Sequence, residues 1–244
     1  LQEFYGSDFW FTNYEQTLSD TKSLHEVSLK QKLQEQPGKK SAVLHSLKEV
    51  ASKIIEKDIF DLELPQKLIV DILENGDVGQ VQNIVSDLSE KDALPFIFHT
   101  MYGCKISIFC VAYGAARDRK RIIKSLTQNT AQNEEESIVL KAAKTFYGSI
   151  FLRYILSVTD DTKKSKSLLK EIQKSLLEMI SDNHAQKVVL SILNPQHKVC
   201  NSNNDAEFLN PELREDLLTR TGKDGSRVVS MRSKEDIMSE LINF

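Results

Sequence analysis

The stretch HTMYGCKISIFC, residues 99–110, decides the fold because its dipeptide Tyr102-Gly103 recurs along the chain in front of apolar segments. Glycine inside a helix costs about 0.5–1 kcal/mol relative to alanine, so Gly103 is expected at a helix boundary or where another group approaches the backbone. Four of the six tyrosines are followed by glycine, namely Tyr5, Tyr102, Tyr113 and Tyr147. This recurrence indicates an internal repeat.

Four segments align on this dipeptide: LPQKLIVDIL from Leu64, YGCKISIFCV from Tyr102, YGSIFLRYIL from Tyr147 and HAQKVVLSIL from His184. Their starting points are 38, 45 and 37 residues apart, and the polar stretch TQNTAQNEEES accounts for the longest interval. A period near 38 residues is typical of helical solenoids, in which each unit buries its apolar face against the next.

The surroundings of the aligned segments repeat as well. A short apolar segment precedes each one, a turn rich in Gly, Asp or Asn follows, and after the first three comes a second amphipathic helix, as in QVQNIVSDL, RKRIIKSL and KSLLKEIQKSLLEMI. The sequence therefore predicts an all-α superhelical solenoid of about 38-residue repeats over residues 1–200. Residues 201–244 are predicted to form a weakly packed polar linker and a C-terminal helical piece.

The alignment of the repeats also predicts how individual residues pack. We expect Leu68, Ile106 and Val188 to be buried at equivalent places in successive units. Gly103 and Gly148 should lie at the starts of the middle helices, packed closely against the preceding unit.

The distribution of charged and apolar residues indicates which kinds of partner the chain could bind. The net charge of −3 combines an excess of 7 basic residues over residues 95–200, which hold 16 Lys+Arg and 9 Asp+Glu, with an acidic remainder. An anionic partner would therefore meet the middle of the chain, although ordinary solvated helix faces would give the same excess. The sequence contains no apolar run long enough to span a bilayer, so no membrane partner is predicted, and its start at Leu1 suggests a piece of a longer protein.

Catalytic and metal-binding patterns are weak. His99 and Cys104 lie five residues apart but have no orienting third group, and the five histidines lack metal-ligand spacing. The three cysteines form no C-x-x-C pair, and no glycine-rich phosphate loop occurs. We predict no enzyme, no metal and no cofactor.

The pattern of Tyr-Gly, two variable residues, an apolar pair and a further position one turn later resembles the RNA-reading helix of PUF (Pumilio) repeats. The stretches FYGSDFWFTNYEQ, GAARDRKRIIKSL and TDDTKKSKSLLKEIQKSLLEMISDNHAQKVVLSILNPQH are similar to the Puf-A/Penguin branch of that family. NPELREDLL resembles the start of the segment that follows the repeats there.

The resemblance implies which residues would face a nucleic acid, because PUF repeats read one base each with three side chains. Carried onto this sequence, the trios are Gln66, Lys67 and Val70; Cys104, Lys105 and Ile108; Ser149, Ile150 and Arg153; and Gln186, Lys187 and Leu190. Three trios end in an aliphatic residue and three have a central lysine, which suits a phosphate better than a base edge. We therefore expect sequence-tolerant RNA binding by Gln66, Lys67, Cys104, Lys105, Ser149, Arg153, Gln186 and Lys187.

The resemblance further implies a protein of the nucleus and nucleolus that binds RNA, with DNA as a second ligand, through a basic concave surface. It implies a role in large-ribosomal-subunit assembly and rRNA processing, with proteins of the pre-60S particle as partners. The alternative is a HEAT- or armadillo-like protein scaffold that binds no nucleic acid and attracts a protein partner through the acidic remainder of the chain. A separate alternative for Lys67, Lys105 and Lys187 is that each only lays its stem over the apolar seam.

Overall fold

The computed structural model describes residues 29–128, 136–194, 197–201, 203–222 and 224–243. The stretch FYGSDFWFTNYEQ and most of TQNTAQNEEES lie outside these residues. The chain forms two compact units, residues 1–84 and 85–244. Among the described residues, no helix combines the length and the apolar character needed to cross a membrane.

The regular elements in the described part of the first unit are all helical. It contains α1 (Leu29–Glu35), a 3-10 turn (Pro37–Lys39), α2 (Lys40–Glu56), α3 (Glu63–Asn75) and the start of α4 (Val78–Glu90), which continues into the second unit. Helix α3 packs against α1 and α2. Eight consecutive residues of α3, from position 66 to position 73, are buried, so α3 forms the centre of this unit.

The second unit begins with helices that repeat in order. They are α5 (Leu94–Ile97), α6 (Met101–Tyr113), α7 (Ala116–Gln128), α8 (Ile138–Lys144), α9 (Phe146–Val158), α10 (Thr162–Lys174), α11 (Leu176–Ser181) and α12 (Ala185–Leu193). A short helix, a buried middle helix and an amphipathic third helix therefore recur as α5–α6–α7 and α8–α9–α10, and α11–α12 begins the pattern again.

Equivalent helices of successive repeats pack on each other. The middle helix α9 contacts α6 and α12, and the third helix α10 contacts α7. Leu68, Ile106 and Val188 are at most 1% exposed, which confirms the predicted burial at one register. The all-α helical-repeat class predicted from the sequence is confirmed.

The Tyr102-Gly103 and Tyr147-Gly148 dipeptides lie in the first turns of the middle helices α6 and α9, as predicted. Tyr113 and Gly114 instead lie at the C-terminal end of α6, and Tyr5-Gly6 lies outside the described residues. Thr100 caps α6 by accepting a hydrogen bond from the Gly103 N–H (3.0 Å), and Thr145 caps α9 in the same way from Gly148 (3.2 Å). A Cβ on Gly103 would lie 1.8 Å from the carbonyl oxygen of Ile97. The close neighbour of Gly103 is thus the end of the short helix α5 rather than the preceding repeat, because a turn of only three residues joins the two helices.

Residues after α12 pack more firmly than the sequence suggested. They form a 3-10 turn (Lys198–Asn201), α13 (Asn203–Leu209), a second 3-10 turn (Glu215–Leu217), a hairpin of β1 (Arg220–Thr221) and β2 (Arg227–Val228), and α14 (Lys234–Ile242). The strands are antiparallel, with Arg220 opposite Val228. Helix α13 contacts α9, and α14 contacts α9, α10 and α12. The division at residue 200 stays a prediction.

Hydrogen bonds and an ion pair hold the residues after α12 against the ends of α6 and α9. Arg220 donates to the Val158 carbonyl (3.1 Å) and pairs with Asp160 (3.1 Å), at the end of α9 and just beyond it. Thr219 donates to the Gly114 carbonyl at the end of α6 (2.8 Å). Free carbonyls at helix ends need donors, and these donors come from a segment about 60 to 105 residues away, which local periodicity does not reveal.

Candidate nucleic-acid interface

The beginnings of α6, α9 and α12 meet in one cluster of aromatic rings and lysines. Phe146 and Tyr147 lie edge to face, with ring centroids 5.0 Å apart, and Phe146 lies 5.8 Å from His184. Lys187 Nζ lies 5.9 Å from the centroid of Phe146. All four side chains are partly exposed.

Lys105 joins this cluster through Phe208 of α13. Its Nζ lies 5.8 Å from the Phe208 ring, which in turn lies 5.6 Å from Tyr147. Lys105 and Lys187 occupy the same register position in α6 and α12, and their side chains are 28% and 19% exposed. The surface formed by Lys105, Phe146, Tyr147, His184 and Lys187 is called the aromatic-lysine face below.

Arg153 occupies the third register position of α9 but does not reach solvent. Its guanidinium donates to Asp205 Oδ2 (2.8 Å) and to the Cys200 carbonyl, and both charged side chains are at most 3% exposed. The Arg153–Asp205 pair thus fixes α13 to α9. A buried pair of this kind is costly to break, because the remaining charge loses its counterion.

Acidic groups of α13 also approach the lysines of the face. Asp205 Oδ2 lies 3.6 Å from Lys187 Nζ, and Glu207 lies 3.3 Å from Lys105 Nζ. Glu207 is exposed, so its pair with Lys105 is weakened by solvent and salt. A phosphate could therefore replace Glu207 beside Lys105 at small cost.

The other predicted contact residues lie in the interior or make internal contacts. Gln66, Cys104 and Ser149 are at most 1% exposed. Gln66 donates to the Phe60 carbonyl (2.6 Å), and Ser149 donates to the Phe146 carbonyl (2.8 Å). Lys67 pairs with Asp71 (2.8 Å), where both side chains are about nine-tenths buried.

Gln186 differs from these residues because it is partly exposed beside Lys187. Its amide makes a single long hydrogen bond to the Asn183 carbonyl (3.4 Å). The structure therefore brings Lys105, Gln186 and Lys187 to one accessible region of the second unit. It places Lys67 and Gln66 in the first unit.

Sequence reasoning missed the aromatic members of the face. The repeat alignment marks Tyr147 only as the partner of Gly148, and Phe146 and His184 only as positions at or next to the repeat start. A tyrosine or histidine at the start of each of the middle helices α6, α9 and α12 was the available signal, since side chains there point back over the N-terminal end. Nothing in the sequence around α13 indicated that its acidic residues would lie beside these lysines.

Thiol chemistry and metal binding have no support in the described residues. Burial raises the pKa of the Cys104 thiol, which donates to the Tyr147 carbonyl (3.4 Å), whereas His99 is exposed. Burial likewise raises the pKa values of Cys110 and Cys200. No group of three or more His, Cys, Asp or Glu side chains among the described residues could hold a metal ion.

Comparison with known proteins places the chain among helical-repeat proteins. It is 28% identical over 197 residues to Pumilio domain-containing protein 12 of Caenorhabditis elegans, an alignment covering 80% of this chain and 23% of that protein. It is 28% identical over 225 residues to Pumilio homolog 3 of Danio rerio, covering 91% and 33%. It is 21% identical over 162 residues to Protein penguin of Drosophila melanogaster, covering 66% and 21%. No family model matches the chain.

The fold agrees with these similarities. The crystal structure of human Puf-A in complex with DNA superposes with a TM-score of 0.71 at 22% identity, covering 93% of this chain and 41% of that one. Human Puf-A crystallised alone gives the same TM-score. The chain spans between a fifth and a third of the length of the three curated relatives named above.

Fold and relatives together define an all-α helical-repeat protein that is similar to Pumilio (PUF) proteins. The particular resemblance predicted from the sequence, to the Puf-A/Penguin-like branch, is confirmed by the similarity to Protein penguin and by the fold shared with human Puf-A.

Proposed function

We propose that this chain binds nucleic acid, chiefly RNA and also DNA, through the aromatic-lysine face and largely without regard to sequence. The observation that carries the proposal is the placement of Lys105 and Lys187 at one register position on either side of Phe146 and Tyr147. Lysines that meet phosphates, together with rings on which bases stack, are the usual elements of single-strand binding.

Binding without regard to sequence is expected because most of the positions that would read a base make internal contacts. Cys104, Ser149 and Arg153 make buried internal contacts, and the members of the second-unit trios that remain accessible are Lys105, Gln186, Lys187 and the aliphatic Leu190. A lysine provides a mobile point charge and stacking accepts any base, so neither distinguishes one base from another.

The relatives support the same class of ligand. The similar proteins are Pumilio proteins, and human Puf-A has been crystallised with DNA. The function we propose is non-enzymatic binding.

The cellular part of the proposal is a nucleolar role in assembly of the large ribosomal subunit and in rRNA processing, with pre-60S proteins as partners. It is supported by the resemblance to the Puf-A/Penguin-like branch. Co-sedimentation of the tagged full-length protein with pre-60S particles tests it, and a tagged protein found only outside the nucleus would contradict it.

We expect the 244-residue chain to bind three single-stranded RNAs of unrelated sequence with similar affinity. Replacing Lys105 and Lys187 by glutamine should weaken binding to all three alike, and the slope of log affinity against log salt should flatten by about 0.7 for each phosphate that is no longer bound. Glu207→Gln should strengthen binding, because it removes the acid that pairs with Lys105. Fluorescence anisotropy at two salt concentrations measures all three effects.

The control is the pair Lys53→Gln and Lys57→Gln, which removes the same charge from exposed positions of the first unit. A strong preference for one RNA would overturn the sequence-independent mechanism. Failure to bind any nucleic acid would favour the protein-scaffold alternative.

A further inference from the structure

Helix α13 places two carboxylates against the cations of three consecutive middle helices. Asp205 Oδ2 lies 2.8 Å from Arg153 Nη1 in α9 and 3.6 Å from Lys187 Nζ in α12. Glu207 Oε1 lies 3.3 Å from Lys105 Nζ in α6. Three residues of α13 thus bring an acid to both lysines of the aromatic-lysine face and to the arginine between them.

The next residue of α13 adds an aromatic ring to these contacts. The Phe208 ring lies 5.6 Å from the ring of Tyr147, inclined by 62°, and 5.8 Å from Lys105 Nζ. Phe208 is only 7% exposed, so most of its surface is buried in this contact region. Aromatic rings favour an edge-to-face arrangement of this kind. Helix α13 therefore covers one ring of the face as well as both of its lysines.

These contacts have the chemistry of a bound single strand. A strand would offer phosphates to the lysines and a base to an exposed ring, whereas α13 offers two carboxylates and a phenyl ring. Both sets of groups need the same lysines and the same ring, and they cannot occupy that space together. Helix α13 and a strand are therefore competitors for this region.

The buried ion pair that holds α13 is incompletely satisfied. Asp205 Oδ1 and Arg153 Nε are buried and find no hydrogen-bond partner among the described residues. A buried ion pair repays its desolvation only when its remaining polar atoms are hydrogen-bonded. Moving both charges into water together removes this penalty, whereas deleting one of them leaves the other buried and alone.

Helix α13 has only seven residues and few neighbours that hold it. Isolated helices of that length are unstable in water. Its principal contacts are with α9 and with the 3-10 turn that precedes it, and residues 210–214, which follow it, form no helix or strand. The segment can therefore leave the face without unwinding α12 or the β1–β2 hairpin.

We propose that α13 is an autoinhibitory segment, which closes the aromatic-lysine face and leaves it when a single strand binds. This inference rests on the proposed function, because the competitor is the same nucleic acid. It adds an open state in which Arg153, released from Asp205, joins Lys105 and Lys187 as a third cation of the site. The apparent affinity is then the intrinsic affinity reduced to the fraction of molecules that are open.

Hydrogen–deuterium exchange on the wild-type 244-residue chain tests the inference directly. Displacement of α13 and its direct participation in binding would change its exchange in opposite directions. When a single-stranded RNA is added at saturating concentration, we expect the amides of residues 203–209 to exchange at least about tenfold faster. The amides of α6 and α9 should be unchanged or slower. Unchanged or slower exchange in α13 would overturn the inference.

The Phe208→Ala variant provides a second test, because it removes the ring contact without changing any charge. Loss of this contact raises the open fraction, so affinity for single-stranded RNA should rise at least about fivefold in fluorescence anisotropy. If Phe208 belonged to the binding surface instead, affinity would fall. The matched control is Phe96→Ala, which removes a ring that is 62% exposed in α5 of the same unit and should leave affinity unchanged.

The two experiments separate failure of this inference from failure of the proposed function. A Phe208→Ala protein that folds and binds RNA no more tightly than the wild type would refute autoinhibition alone, as would RNA binding that protects α13. A wild type that binds no nucleic acid would refute the proposed function and the inference with it. The exchange experiment needs no variant, so it decides the question even where Phe208→Ala does not fold.

Discussion

Replacing Asp205 by alanine is expected to lower the free energy of unfolding of the second unit by about 3–5 kcal/mol. Arg153 would then remain as a buried cation without its counterion, in a place where its side chain is 3% exposed. Lys187 would lose a partner as well. Urea denaturation followed by circular dichroism measures the effect.

The matched control is Asp216→Ala, which breaks an ion pair of similar length (2.7 Å to Arg214) at an exposed site. Exposed pairs contribute about 0.2–1 kcal/mol, so this control should change stability little. The double variant Arg153→Met, Asp205→Leu should recover much of the stability, because neither charge then remains buried. If Asp205→Ala cost no more than Asp216→Ala, α13 would not be held on α9 by this pair in solution.

Replacing Gly103 by alanine is expected to destabilise the second unit by about 3 kcal/mol, at the upper end of the usual cost of overpacking. The new Cβ would lie 1.8 Å from the Ile97 carbonyl oxygen and 2.7 Å from Thr100 Oγ1, which is the cap of α6. Relief requires a shift between α5 and α6, since a backbone carbonyl cannot turn aside as a side chain can. Denaturation midpoints of the two proteins provide the comparison.

Gly38→Ala is the control, because nothing lies within 4 Å of a Cβ at that position. Gly148→Ala should behave like Gly103→Ala, since its Cβ would lie 2.4 Å from the Ala142 carbonyl oxygen. A Gly103→Ala protein that melts like the wild type would show that the approach of α5 is not the reason for the glycine.

Sequence alone predicted the repeat and much of its interior. Leu68, Ile106 and Val188 are buried as expected, and the Tyr-Gly dipeptides at 102–103 and 147–148 lie in the first turns of helices. These features are local, because helical periodicity and an N-terminal cap depend on residues three to seven positions apart. The helix class could therefore be recognised without any knowledge of what packs against it.

The candidate site was predictable only in part. The register located Lys105 and Lys187, but it gave Arg153 the same expected role, although Arg153 is buried against Asp205. The close approach at Gly103 was predictable, whereas its partner, the end of α5, was not. In each case the missing information is which group packs against a side chain.

The sequence by itself determined the period of the repeat, the helices within it and the register on which the lysines lie, because these follow from spacing along the chain. Only the tertiary structure decided which of those charges are available. Asp205 is 52 residues from Arg153, and Glu207 is about a hundred from Lys105, so their pairing depends on how α13 folds back over α6, α9 and α12. The basic side chains of α7 and α10 likewise come together only because stacking of the repeats places these two helices side by side.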